Sequence, residues 1–186
     1  MSDLLQLVTV SGSLRAASFN SALLRALPKL SPPTVSYRRL DWSALPVLNE
    51  DDDPPALVAE LQQAIRAADG LVIATPEYNK GIPGGLKNLI DWLSTGGRPH
   101  GLDGVPVALV GVSSGVVGTS MSQAALRITL AGLNAPTMPA PQVLIGPASQ
   151  RFDAEGELSH EPTRAFVKSW VVSMERWMRR FPRTDR

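Results

Sequence analysis

The chain has 186 residues, with 18 Lys and Arg against 17 Asp and Glu, a net charge of +1, 44% hydrophobic and 19% charged side chains. This is the balance of an ordinary globular chain and excludes a disordered segment or a dedicated nucleic-acid binder. Cysteine is absent and His100 and His160 are the two histidines, which removes disulfides, thiolate nucleophiles, iron–sulfur clusters and Cys- or HExxH-based metal sites.

Short apolar runs alternate with amphipathic stretches along the chain. Leu4–Val10 reads as a buried strand, and Ser18 stands as an N-cap before a helix over Ser21–Lys29 with Leu23, Leu24 and Leu27 at helical spacing. Val35–Leu40 is a weaker strand. The acidic run Glu50–Asp53, followed by Pro54 and Pro55, is placed as the N-terminal charge of a helix carrying Leu57, Val58, Leu61 and Ile65. Gly70–Thr75 is a central strand ended by Pro76, and Pro83 opens a helix with Leu86, Leu89, Ile90 and Leu93. Val105–Val112 is another buried strand, Thr119–Leu133 a helix, Gln142–Ile145 a last strand and Pro162–Phe181 a last helix. Near-continuously apolar strands alternating with helices predict an α/β fold: a three-layer, doubly wound, five-stranded parallel sheet of flavodoxin-like type, forming one domain over residues 1–186. No apolar run is long enough to span a membrane and the N-terminus lacks a cationic leader, so a cytoplasmic location away from membranes is expected.

In such a fold ligands bind beyond the C-terminal ends of the strands, where the strand order reverses. Three loops follow those ends. Ser11–Asn20 leads into a helix N-terminus, a natural anion site. Ser13, Ser18, Asn20 and Arg15 supply hydroxyl, amide and guanidinium donors for one phosphate. The loop matches neither GxGxxG nor a P-loop, and a Ser-rich turn is also what a plain helix cap requires. Thr75–Gly85, with two prolines and three glycines, is a rigid loop displaying Tyr78 and Asn79 to a flat ligand, or an ordinary connection with Tyr78 in the core. Ser113–Ser120 offers N–H and hydroxyl donors, as many caps do.

Together, Gly12-Ser13-Leu14-Arg15-x-x-Ser18-x-Asn20 and Thr75-Pro76-Glu77-Tyr78-Asn79 followed by Pro83–Trp92 resemble the NADPH-dependent FMN reductase family, over about residues 4–145. The resemblance implies non-covalent FMN, with Ser13, Arg15, Ser18 and Asn20 on the phosphate. Pro76, Glu77, Tyr78 and Asn79 would contact the isoalloxazine ring, with Ser113 and Gly115 near it. It also implies NADPH or NADH as hydride donor, a small-molecule electron acceptor (a flavin, quinone, azo compound or metal oxyanion), and a homodimer or homotetramer. The flavin would carry the chemistry, so no side chain is assigned as a catalytic acid or base. The rival is an electron-carrier flavodoxin without NAD(P)H activity. Such carriers are usually strongly acidic, and the balanced charge speaks against one. Lys87 and Asp91 are read as an i,i+4 surface pair, and Trp170, Trp177 and Phe181 as core or subunit contact.

Overall fold

The computed structural model describes residues 4–183. Five strands, β1 (Leu5–Ser11), β2 (Val35–Arg39), β3 (Gly70–Ala74), β4 (Val107–Val112) and β5 (Val143–Ile145), form one parallel sheet in the order β2-β1-β3-β4-β5. Five helices connect and follow them: α1 (Phe19–Leu30), α2 (Ala56–Ala67), α3 (Gly84–Leu93), α4 (Ser120–Gly132) and α5 (Glu161–Met178).

The period-2 alternation of the strands explains the three layers. Leu5, Leu7, Val72, Ala74, Val110 and Val112 face the core made with α1 and α5. Val8, Val10, Leu71, Ile73, Val107 and Leu109 face the opposite core, made with α2, α3 and α4. With both faces covered, the strands must be apolar at nearly every position, which is what made them recognisable.

Prolines set several boundaries. Pro106 lacks an N–H, so β4 starts at Val107 rather than Val105, although the Pro106 carbonyl still accepts the Leu71 N–H. The acidic run lies just before Pro54 and Pro55 and the start of α2, where the sequence placed it. Pro54 and Pro55 hold the preceding backbone extended, the helix begins only at Ala56, and its first turn contains no acid. Asn49 instead organises the acidic segment as a turn, its amide donating to Asp52 and its carbonyl oxygen accepting the Asp51 N–H.

The remaining polar features are structural. The Lys87 ammonium donates to both Asp91 carboxylate oxygens at 2.7 and 2.9 Å. His100 is buried, and its Nδ1 accepts the Leu102 N–H. Trp170 lies in the core, while Trp177 and Phe181 pack on each other with centroids 4.8 Å apart.

Tyr37 on β2 gives the fold a measurable alkaline limit. Burial, with the Glu175 charge adding and the Ser31 hydrogen bond opposing, pushes its hydroxyl from 10.0 up to about 12. The unfolded chain then loses this proton first as pH rises. Its contribution is complete below pH 10.0 and disappears on the way to about 12. Urea unfolding across that range is expected to show a declining stability whose slope flattens in Tyr37→Phe.

Candidate cofactor site

The strand order puts the reversal between β1 and β3, and the loops after β1, β3 and β4 meet there. They enclose a cleft of about 190 Å³ lined by Ser13, Arg15, Ser18, Phe19, Asn20, Pro76, Glu77, Tyr78, Val112, Ser113 and Ser114.

The first loop is tied down at both ends. The Gly12 N–H donates to the Ala74 carbonyl at 2.7 Å, and a side chain at Gly12 would strike Leu86 and Pro76, so only glycine lets the first two loops close on each other. Ser18 caps α1, its Oγ accepting the Ser21 N–H at 3.3 Å and its carbonyl the Ala22 N–H at 2.9 Å. The Phe19 and Asn20 N–H groups of the first turn lie ahead of the intrahelical ladder and are open donors. Ser13 and Ser18 are buried and Arg15 is exposed at the rim. Buried hydroxyls, open N–H groups and one exposed guanidinium, all at the positive end of a helix, suit a phosphate dianion. On that donor set the residues fit the terminal phosphate of a mononucleotide.

Asn20 does something the pattern of loop residues did not reveal. Its Nδ2 donates to the Val112 carbonyl at 2.9 Å and its Oδ1 accepts the Val112 N–H at 3.0 Å. The side chain therefore closes a two-bond clamp on the end of β4, and its backbone N–H is what it offers to the cleft.

In the second loop, Tyr78 and Gly81 exchange backbone hydrogen bonds at 3.3 and 2.9 Å around Asn79 and Lys80, whose φ angles are 50° and 60°. Two successive left-handed residues make a type I′ turn, which Asn tolerates and Lys resists. This turn presents Tyr78, 48% exposed, at the rim of the cleft. Asn79 and Gly115 stand outside the residues that line the cleft. The Glu77 carboxylate points to α4, where Oε2 accepts the Met121 and Ser122 N–H groups at 2.8 and 3.1 Å. It thus caps α4 from a different element, leaving the loop backbone to face a ligand. Thr75 and Ser122 hydroxyls add a 2.9 Å bond to the same junction.

The third loop is fixed by β5: the Ser113 N–H donates to the Ile145 carbonyl and its own carbonyl accepts the Ala148 N–H. Gly146 must lack a side chain because a Cβ there would occupy the Gly115 carbonyl. Phe19, Val112 and Ser114 join the lining without having been marked in the sequence, and Trp42 supports it from behind. The Trp42 indole donates to the Ser11 carbonyl at 2.9 Å and packs on Gly85. Phe19 and Trp42 are apolar residues in otherwise polar or irregular stretches, which is the one signal that pointed to them. A larger cavity of about 470 Å³, beside Arg127 and Asn134, adjoins the C-terminal turn of α4. It lacks the helix N-terminus and the Ser hydroxyls of the smaller cleft, which is therefore the candidate cofactor site.

A family model described as NADPH-dependent FMN reductase matches residues 5–150. The chain belongs to this family. It is 41% identical over 186 residues to an NAD(P)H-dependent FMN reductase of Pseudomonas aeruginosa, an alignment covering 97% of this chain and 98% of that protein. It is 38% identical over 180 residues to a 2-hydroxy-1,4-benzoquinone reductase of a Burkholderia species, with 94% and 97% coverage. Its fold is similar to that of FerB, a flavoenzyme NAD(P)H:(acceptor) oxidoreductase from Paracoccus denitrificans, with a TM-score of 0.87, 30% identity and coverage of 96% and 99%. The chain is accordingly an NAD(P)H-dependent oxidoreductase that works with FMN, and the flavodoxin-like sheet is the one expected. Among the described residues no helix is long and apolar enough to cross a membrane.

Proposed function

We propose that this protein is a cytoplasmic, single-domain reductase that carries hydride equivalents from NAD(P)H through FMN to small quinone-type acceptors, working as a homo-oligomer. The observation that carries the reading is the meeting of one phosphate-type donor set and one rigid aromatic-bearing loop in a single cleft. FMN supplies the redox chemistry, accepting hydride from a nicotinamide and yielding electrons to an acceptor. The protein binds and orients. Ser13, Ser18, Arg15 and the Phe19 and Asn20 N–H groups would hold the phosphate. The Pro76–Tyr78 segment and Ser113 line the same cleft and would hold the flat ring system, with Asn79 and Gly115 setting the two loops from outside the lining. No carboxylate of the cleft is free to move protons, because Glu77 is engaged by α4. Catalysis is then by positioning, with one ring face left open for the nicotinamide and afterwards for the acceptor.

Quinone-type acceptors are favoured because the Burkholderia relative is named for one. Sequential use of one open face predicts parallel double-reciprocal plots for NADPH against a benzoquinone; intersecting lines would contradict it. Anaerobic mixing of the yellow holoprotein with NADPH should bleach it within single turnovers, and added benzoquinone should restore the colour. A holoprotein that stays yellow would favour the electron carrier.

Self-association is supported by a stripe on α4. Met121, Ala124, Ala125, Ile128, Ala131 and Gly132 share one helical face, with Met121 53% and Ile128 77% exposed, and Val116 and Val117 stand out beside it at 80% and 67%. So much exposed apolar surface next to a cofactor cleft suits a second copy of the chain. Light scattering should report a dimer or tetramer for the wild type and a monomer for Ile128→Lys; an unchanged mass in the variant would count against this face.

A further inference from the structure

The loop assigned to the phosphate is held by more than its own residues. Arg39 ends β2 in register with Thr9 of β1, and its Nη2 donates to Ser21 Oγ at 2.9 Å. Ser21 Oγ donates to Ser11 Oγ at 3.0 Å. Ser11 Oγ in turn donates to the Ser13 carbonyl at 3.1 Å and accepts the Ser13 N–H at 3.3 Å. The Ser13 carbonyl can only accept, so Ser11 turns its one proton to Ser13 and its two lone pairs take the Ser21 hydroxyl and the Ser13 N–H. The Arg39 guanidinium, which can only donate, fills a lone pair of Ser21 and leaves the Ser21 proton for Ser11. Ser11 and Ser21 are each only 2% exposed, so water cannot readily substitute for a missing partner.

The charge points the same way. Arg39 stands against the first turn of α1, where the peptide dipoles already present positive potential and a cation is unfavourable unless an anion lies in front of the helix. Among the described residues no carboxylate lies within ion-pair distance of Arg39. Asp41, two positions on, is held below the ordinary carboxylate range chiefly by the Ser43 N–H and side chain, with Arg39 the least of the causes. Arg39 is itself exposed, and a phosphate bound at the start of α1 would add an anion to Asp41 on the side where the helix dipole is positive.

We propose that Arg39 is a positioning residue for the cofactor phosphate, acting through Ser21 and Ser11 to fix the Ser11–Ser13 turn. It lies outside both motifs, and the inference rests on the assignment of the phosphate to the first loop.

The full-length apoprotein, its fold checked by circular dichroism, is titrated with FMN and with riboflavin, which lacks the phosphate. A wild type that binds both equally would refute the assignment on which the inference rests, before any variant is considered. Given a wild-type preference for FMN, Arg39→Met should weaken FMN about tenfold and leave riboflavin within about twofold. Arg39→Lys, which keeps the charge and a donor, should recover most of the loss. Ser21→Ala added to Arg39→Met should cost nothing further, since the two act as one unit. Wild-type FMN affinity in Arg39→Met, equal loss of both flavins, no recovery with Lys, or additive losses in the double variant would each overturn the proposal.

Discussion

Arg15→Glu combined with Ser13→Ala is expected to yield a folded, colourless protein that recovers FMN only at concentrations about a thousandfold above those the wild type needs. Each charge-assisted bond to the phosphate contributes roughly 1.5–3 kcal/mol, and reversing the charge replaces attraction with repulsion. Together the changes amount to about 4 kcal/mol, or three orders of magnitude in affinity. The fold should tolerate them. Arg15 is exposed, and the bond lost at Ser13 is the long 3.4 Å contact from the Arg15 N–H. Equilibrium dialysis against FMN provides the measurement, with riboflavin as the control that should change far less.

Asn20→Ala should destabilise the apoprotein itself. It removes both hydrogen bonds of the Val112 clamp and strands an N–H and a carbonyl beside a side chain that is 3% exposed. Unsatisfied buried groups cost about 1–3 kcal/mol each, so urea unfolding should register a loss of about 3 kcal/mol without any flavin present. Asn20→Asp should do no better, because a carboxylate can accept from the Val112 N–H but faces the Val112 carbonyl with negative charge. A residue whose only task was to hold phosphate would leave apoprotein stability untouched.

Asn20 also marks where sequence reasoning reached its limit. The helix cap at Ser18, the breaks at Pro76 and Pro83, and the period of every helix could be read locally, because propensity and burial pattern act over a few residues. The strands were legible because both sheet faces are covered. The three loops could be named as a candidate site because the topology has one reversal, and all three meet there. What stayed hidden depends on pairs far apart in the chain. Asn20 meets Val112 and Glu77 reaches Met121 and Ser122, while Arg39 finds Ser21 and Trp42 finds Ser11. A polar side chain near a motif looks the same in sequence whether it faces a ligand or stitches two loops together. The acidic run before α2 was legible in place, ahead of Pro54 and Pro55, but not the turn that Asn49 builds through it.

The most direct test is a crystal structure of the protein with FMN. The phosphate should lie within hydrogen-bond distance of Ser13, Ser18, Arg15 and the Phe19 and Asn20 N–H groups, with the ring against Pro76–Asn79. FMN bound in the groove beside Arg127, or with its phosphate away from the start of α1, would contradict the site described here.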